Sequence, residues 1–141
     1  MSAKKPPTLR VNLRKCTGCR ACTIACALSH EQQVEIYRAR IRVQKRMPEL
    51  KTPVFKPVYC RQCRNAKCVD VCPTGALVQD EESGQVILYT ELCNGCGECL
   101  EACPFDAIWM DDEQGVVIKC DLCGGDPVCV KYCAPEALSY G

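Results

Sequence analysis

Sixteen cysteines in 141 residues dominate the chemistry open to this protein. They fall into four groups of four: Cys16, Cys19, Cys22 and Cys26; Cys60, Cys63, Cys68 and Cys72; Cys93, Cys96, Cys99 and Cys103; Cys120, Cys123, Cys129 and Cys133. The first and third groups follow C-x2-C-x2-C-x3-C. The second is C-x2-C-x4-C-x3-C and the fourth C-x2-C-x5-C-x3-C, so only the middle gap varies. A deprotonated cysteine is a soft, anionic ligand, suited to zinc and to iron–sulfur clusters. Zinc ribbons place their C-x2-C pairs roughly 15 to 20 residues apart; they do not crowd three cysteines into one short loop. Disulfides belong to oxidising compartments. The pattern therefore points to four iron–sulfur clusters of the four-iron type, with all sixteen cysteines as iron ligands.

The spacing also dictates local structure. Cys72 and Cys103 run directly into Pro73 and Pro104. That is the bacterial ferredoxin run, whose fourth cysteine ligates the other cluster of a pair. Three cysteines on a tight loop can wrap one cube. The fourth lies about one helical turn past the third, because residues three or four apart share a helix face, and proline then ends the helix. Short helices are predicted over residues 20–28, 67–71, 97–102 and 128–132. After the last cysteine of groups two, three and four stand Pro-Thr-Gly-Ala-Leu-Val, Pro-Phe-Asp-Ala-Ile-Trp and Ala-Pro-Glu-Ala-Leu-Ser. This internal repeat, x-x-x-Ala-(Leu/Ile), leads each time into a short strand. Residues 76–79 with 85–89, and 107–110 with 115–119, read as hairpins with apolar β-formers around a Gly-bearing turn.

Residues 31–53 interrupt this scheme as a basic insert. From Tyr37 to Gln44 the sequence alternates, with Ala39, Ile41 and Val43 on one face and Arg38, Arg40 and Arg42 on the other, the mark of a half-buried strand with a basic exposed side. Pro48, Pro53 and Pro57 punctuate a return through Val54 to Tyr59 as a second strand. Residues 1–10 read as a flexible or partner-tethered arm, and residues 11–141 as a single domain.

Composition agrees. With 2 Phe, 1 Trp and 5 Tyr, an ordinary core would be thin, so something bound by cysteine must replace part of it. No apolar run is long enough to span a membrane. The basic start is not followed by an apolar stretch and no Arg-Arg pair occurs, so the reading expects no export signal and a cytoplasmic protein. The net charge of +1 hides a split: 16 basic against 3 acidic residues in 1–67, and 2 against 14 in 68–141. Four oxidised clusters of about −2 each would make the loaded molecule acidic, which argues against a nucleic-acid partner.

The sequence resembles the four-cluster, ferredoxin-like electron-transfer subunits of multi-subunit oxidoreductases: the iron–sulfur subunits of dimethyl sulfoxide reductase-like enzymes, formate hydrogenlyase and carbon monoxide dehydrogenase systems, and the small subunits of tungsten-dependent aldehyde oxidoreductases. The resemblance covers about residues 10–141. It rests on Cys16-Thr-Gly-Cys-Arg-Ala-Cys, Cys26-Ala-Leu-Ser-His-Glu, Cys60-Arg-Gln-Cys, Cys68-Val-Asp-Val-Cys-Pro-Thr-Gly-Ala, Cys93-Asn-Gly-Cys-Gly-Glu-Cys and Lys119-Cys-Asp-Leu-Cys. Two departures are Ala134 in place of a common proline and the short gap from Cys123 to Cys129; the latter leans toward the tungsten aldehyde oxidoreductase type.

The resemblance implies an α+β fold of tandem bacterial-ferredoxin-like modules with nested pairing. An inner module (54–115) would hold Cys60, Cys63, Cys68 with Cys103, and Cys93, Cys96, Cys99 with Cys72. An outer module (11–30 with 116–141) would hold Cys16, Cys19, Cys22 with Cys133, and Cys120, Cys123, Cys129 with Cys26. It further implies a non-catalytic electron relay between a catalytic subunit, best matched by a tungsten- or molybdenum-pterin aldehyde or formate oxidoreductase, and another electron-transfer subunit or ferredoxin. The alternative is a free polyferredoxin serving several enzymes. The residues add no G-x-S-x-G, P-loop or G-x-G-x-x-G. His30 and Trp109 read most simply as surface and hairpin residues. Arg14, Lys15 and Arg20 near group one and Arg61, Arg64 and Lys67 near group two, against Glu91, Glu98, Glu101 and Asp106 near group three, suggest easier reduction at groups one and two.

Overall fold

A computed structural model describes residues 8–31, 36–46 and 54–140. Along the chain run β1 (Leu9–Val11), α1 (Ala21–Glu31), a 3-10 turn (Ile36–Arg38), β2 (Ile41–Arg46), β3 (Val54–Tyr59), α2 (Lys67–Val71), β4 (Leu77–Gln79), β5 (Val86–Leu88), α3 (Glu98–Ala102), β6 (Ile108–Asp111), β7 (Val116–Lys119), α4 (Val128–Lys131) and β8 (Leu138–Tyr140). Among the described residues the strands form antiparallel pairs: β1 with β8, β2 with β3, β4 with β5, β6 with β7. The result is a small mixed fold of hairpins and short helices.

Helices of four or five residues cannot stand alone in water. They persist because α2 packs on α3 and α4 packs on α1. Both α2 and α3 stop at a cysteine in extended conformation, Cys72 and Cys103, where the following proline forbids the helical backbone. The buried residues form two cores. One gathers Leu9, Ile41, Tyr59, Leu122 and Leu138 with Cys22, Cys26, Cys60, Cys120 and Cys129. The other gathers Ala66, Leu77, Val86, Ile108 and Val117 with Cys99. The first draws on both ends of the described residues and the second on their middle.

Three expectations need correction. Leu9 and Arg10 do not belong to an arm: Leu9 is buried and pairs with Tyr140, Arg10 with Ser139. Burial of Leu9 outweighs the flexibility that the basic, proline-bearing start suggested; residues 1–7 lie outside the described residues. The alternating strand begins at Ile41 and not at Tyr37, which sits with Arg38 in the 3-10 turn. Nor is its basic side given over to water. Arg38 pairs with Asp111 at 3.4 Å and with Glu113, and Arg42 lies 4.4 Å above the Trp109 ring, a cation–π stack. The insert is thus fastened to the β6–β7 hairpin. Its return strand, Val54–Tyr59, falls as expected; Pro48 and Pro53 are outside the described residues.

Candidate metal centres

The cysteine loops share one backbone device. In the first C-x2-C of each group the residue before the second cysteine has a left-handed φ: Gly18 +74°, Gln62 +49°, Gly95 +73° and Leu122 +59°. That turn curls the loop so that successive sulfurs converge. Glycine adopts it without strain, whereas Gln62 and Leu122 bear a cost. Both are buried, and their side chains offset it. Gln62 donates to the Cys120 carbonyl at 3.1 Å and accepts from the Val86 N–H at 2.8 Å; Leu122 is fully enclosed.

The structure brings cysteines of different runs together. Cys16, Cys19, Cys22 and Cys133 line one small cavity that Val43 of β2 and Pro57 of β3 help to wall. Cys93, Cys96 and Cys99 line another with Cys72. Cys63 and Cys68 both lie near Cys60 and Cys103. Cys129 lies near Cys120, Cys26 and Cys123, and near Cys22 as well. Cys60 lies near Cys120.

The repeat after the fourth cysteine has a physical reading that spacing alone does not reveal. Ala137 N–H donates to the Cys133 sulfur at 3.2 Å and Ala107 N–H to the Cys103 sulfur at 3.5 Å. Each alanine is buried. A larger side chain would crowd the core at the point where the backbone bends onto the sulfur. Cys26 departs from this pattern because α1 continues past it; the donor there is Arg40 N–H, at 3.2 Å. His30, one turn beyond Cys26, donates from Nδ1 to the Cys26 carbonyl (2.9 Å) and from Nε2 to the Asp121 carboxylate at 3.1 Å. Asp121 holds the His30 imidazole well above its ordinary range, at about 10. His30 is therefore a tie between α1 and the fourth cysteine loop, a role for which the sequence offered only its one-turn spacing from Cys26.

The thiols have the chemistry of a metal-binding set. All sixteen are free. Burial, followed by neighbouring cysteines, pushes Cys68 and Cys99 up to about 11; burial also pushes Cys120 up to about 12 and raises Cys129 and Cys22. Crowded buried sulfurs of this kind become thiolates only when a cationic centre replaces their protons. Clustered soft donors, most of them partly or fully buried, with backbone N–H groups aimed at the sulfurs of Cys26, Cys103, Cys120 and Cys133, fit iron–sulfur clusters.

Comparison with known proteins defines the class. The profile described as "4Fe-4S dicluster domain" matches twice, at residues 52–141 and 15–76. The protein is 42% identical over 119 residues to the "Aliphatic sulfonate oxidoreductase, polyferredoxin-like subunit" of Pyrococcus furiosus, covering 84% of this sequence and 66% of that one. It is 39% identical over 140 residues to the "Thiosulfate reductase electron transfer subunit PhsB" of Salmonella typhi (91% and 71%), and 36% identical over 136 residues to "Protein NrfC" of Escherichia coli (89% and 60%). It thus spans about two thirds of the length of these relatives. A solved structure described as "Active site complex BamBC of Benzoyl Coenzyme A reductase in complex with Benzoyl-CoA" has the same fold, with a TM-score of 0.54 at 24% identity over 96% of this sequence and 78% of that one.

The molecule is an iron–sulfur electron carrier of the oxidoreductase-subunit class, which relays electrons and does not itself catalyse. The chain belongs to the 4Fe-4S dicluster domain family. Among the described residues no helix is long and apolar enough to cross a membrane.

Proposed function

We propose that the protein holds four [4Fe-4S] clusters and conducts single electrons between a catalytic oxidoreductase subunit and a second redox partner. The ligand sets are Cys16, Cys19, Cys22 with Cys133; Cys26 with Cys120, Cys123, Cys129; Cys60, Cys63, Cys68 with Cys103; and Cys72 with Cys93, Cys96, Cys99. The observation that carries this reading is the company kept by the fourth cysteines: Cys72 shares a cavity with the third run and Cys133 with the first. The inner and outer modules of nested pairing follow from it.

When bound, such clusters supply one-electron storage at potentials set by their surroundings. The protein's residues do the rest. The left-handed loops present three sulfurs, the short helices bring the fourth, and the alanine N–H groups stabilise charge on it. Gln62 and the nearness of Cys60 to Cys120 join the two modules. The order of relay is therefore Cys93 set, Cys60 set, Cys120 set, Cys16 set, or its reverse.

The catalytic partner is a tungsten- or molybdenum-pterin oxidoreductase of anaerobic metabolism in the cytoplasm. The compact fourth group, with its short gap from Cys123 to Cys129, supports this choice. Anaerobic purification from the native host tests both parts. The expected material carries roughly sixteen iron atoms per polypeptide and co-purifies with a pterin-bearing subunit. Far less iron, or zinc in its place, ends the cluster reading; a fully loaded protein that never co-purifies is a free polyferredoxin.

A further inference from the structure

The last residue of β7 is a lysine where burial allows almost none. Lys119 is only 3% exposed. Its ammonium makes one hydrogen bond, to the Cys120 carbonyl at 2.9 Å, and that carbonyl already accepts from Gln62. Among the described residues no carboxylate lies within ion-pairing distance of it. An ammonium taken out of water costs several kcal/mol unless an opposite charge answers it, and one neutral carbonyl is a poor answer. The place it occupies is a junction: the Cys120 carbonyl belongs to one proposed ligand set, and the Gln62 amide that shares that carbonyl at 3.1 Å stands between Cys60 and Cys63 of another. The ammonium is thus buried where the two loops meet.

We propose that Lys119 is a shared counter-charge between the Cys60 set and the Cys120 set, and that it raises the reduction potential of both central centres together. The inference rests on the four-cluster reading above and goes beyond it by naming the group that sets the middle of the relay. A positive charge favours the more negative, reduced form of a nearby centre. It acts most strongly where water is excluded, which separates Lys119 from Arg64 and Lys67, both exposed on the surface. Holding the two central centres at matched potentials keeps the step between modules close to level, so an electron arriving from either end passes without a trap.

The test is a potentiometric titration of the anaerobically loaded protein, followed by electron paramagnetic resonance, in wild type, Lys119→Met, Lys119→Gln and Lys119→Arg. Cys→Ser variants of each set assign the signals. In Lys119→Met the reduction equilibrium of both central centres should weaken about tenfold, which is about 59 mV for one electron. The two outer centres should keep their values, and Lys119→Arg should restore the wild-type pattern. Lys119→Gln retains a hydrogen-bond donor without the charge, so it should behave as Lys119→Met and serves if the methionine variant loads poorly. Unmoved potentials in a neutral variant, a shift at one centre alone, or equal shifts at all four overturn the proposal. Iron content separates the two readings: a wild-type protein with far fewer than roughly sixteen iron atoms defeats the cluster assignment, whereas full loading with unchanged potentials defeats only the role of Lys119.

Discussion

Gln62 and Cys120 are 58 positions apart, yet the Gln62 side-chain amide donates to the Cys120 carbonyl at 3.1 Å while its oxygen accepts from the buried Val86 N–H at 2.8 Å. One side chain in a strained backbone position thereby clips the second cysteine loop to the fourth. Replacing it with leucine keeps the bulk and removes both bonds. Gln62→Leu should destabilise the loaded protein by about 2 kcal/mol, since a buried N–H is left without a partner. Chemical denaturation under anaerobic conditions measures this; an unchanged midpoint would mean that the two bonds contribute no net stability.

Cys133→Ser should damage the centre opened by Cys16, Cys19 and Cys22, not the one opened by Cys120 and Cys123. The expected loss is about a quarter of the iron, with one electron paramagnetic resonance signal altered. Damage at the Cys120 centre with the Cys16 centre intact would refute the nested assignment.

Gly18 lies under the ring of Phe55. Its φ is +74°, and a methyl group there would sit 2.5 Å from Phe55 Cδ1. Gly18→Ala should cost about 1–2 kcal/mol from the left-handed backbone alone, and more from the clash. In a Phe55→Ala background the clash disappears and the backbone cost stays, so a double-mutant cycle separates the two.

Arg38→Met removes the cation beside Asp111, a carboxylate only 3% exposed. The variant should lose about 2 kcal/mol, read as a lower midpoint in anaerobic chemical denaturation.

The surface charges near the first, second and third groups should give the Cys93 centre a lower potential than the Cys16 and Cys60 centres. Because Arg14, Lys15, Arg20, Glu91, Glu98 and Glu101 are all exposed, salt screens them, and the gap should narrow as ionic strength rises. A Cys93 centre that titrates highest would eliminate the idea.

Much of this architecture is written in the cysteine spacing. Helix α2 and both predicted hairpins stand within a residue or so of their expected places, because each is pinned between cysteines whose positions are set by a metal. The strand pair around the insert was legible from alternation, but its start was not: Tyr37 and Arg38 alternate as strand residues do, yet the salt bridges to Asp111 and Glu113, far along the sequence, hold Arg38 in a tight turn. The N–H···S bonds of Ala107 and Ala137 were visible only as an unexplained repeat. Lys119 stood in plain view inside Lys-Cys-Asp-Leu-Cys, but nothing local reveals that a lysine is buried; that depends on Gln62 and the junction it closes.

The pairing of β1 with β8 has a consequence for biosynthesis. Leu9–Val11, made early, must wait for Leu138–Tyr140, so the outer core cannot close until the ribosome has passed Tyr140. The inner core, from Ala66 to Val117, emerges complete while its surroundings are still being made. Maturation should accordingly proceed from the middle outward, with the earliest thiols to emerge being the last to be sealed from oxygen.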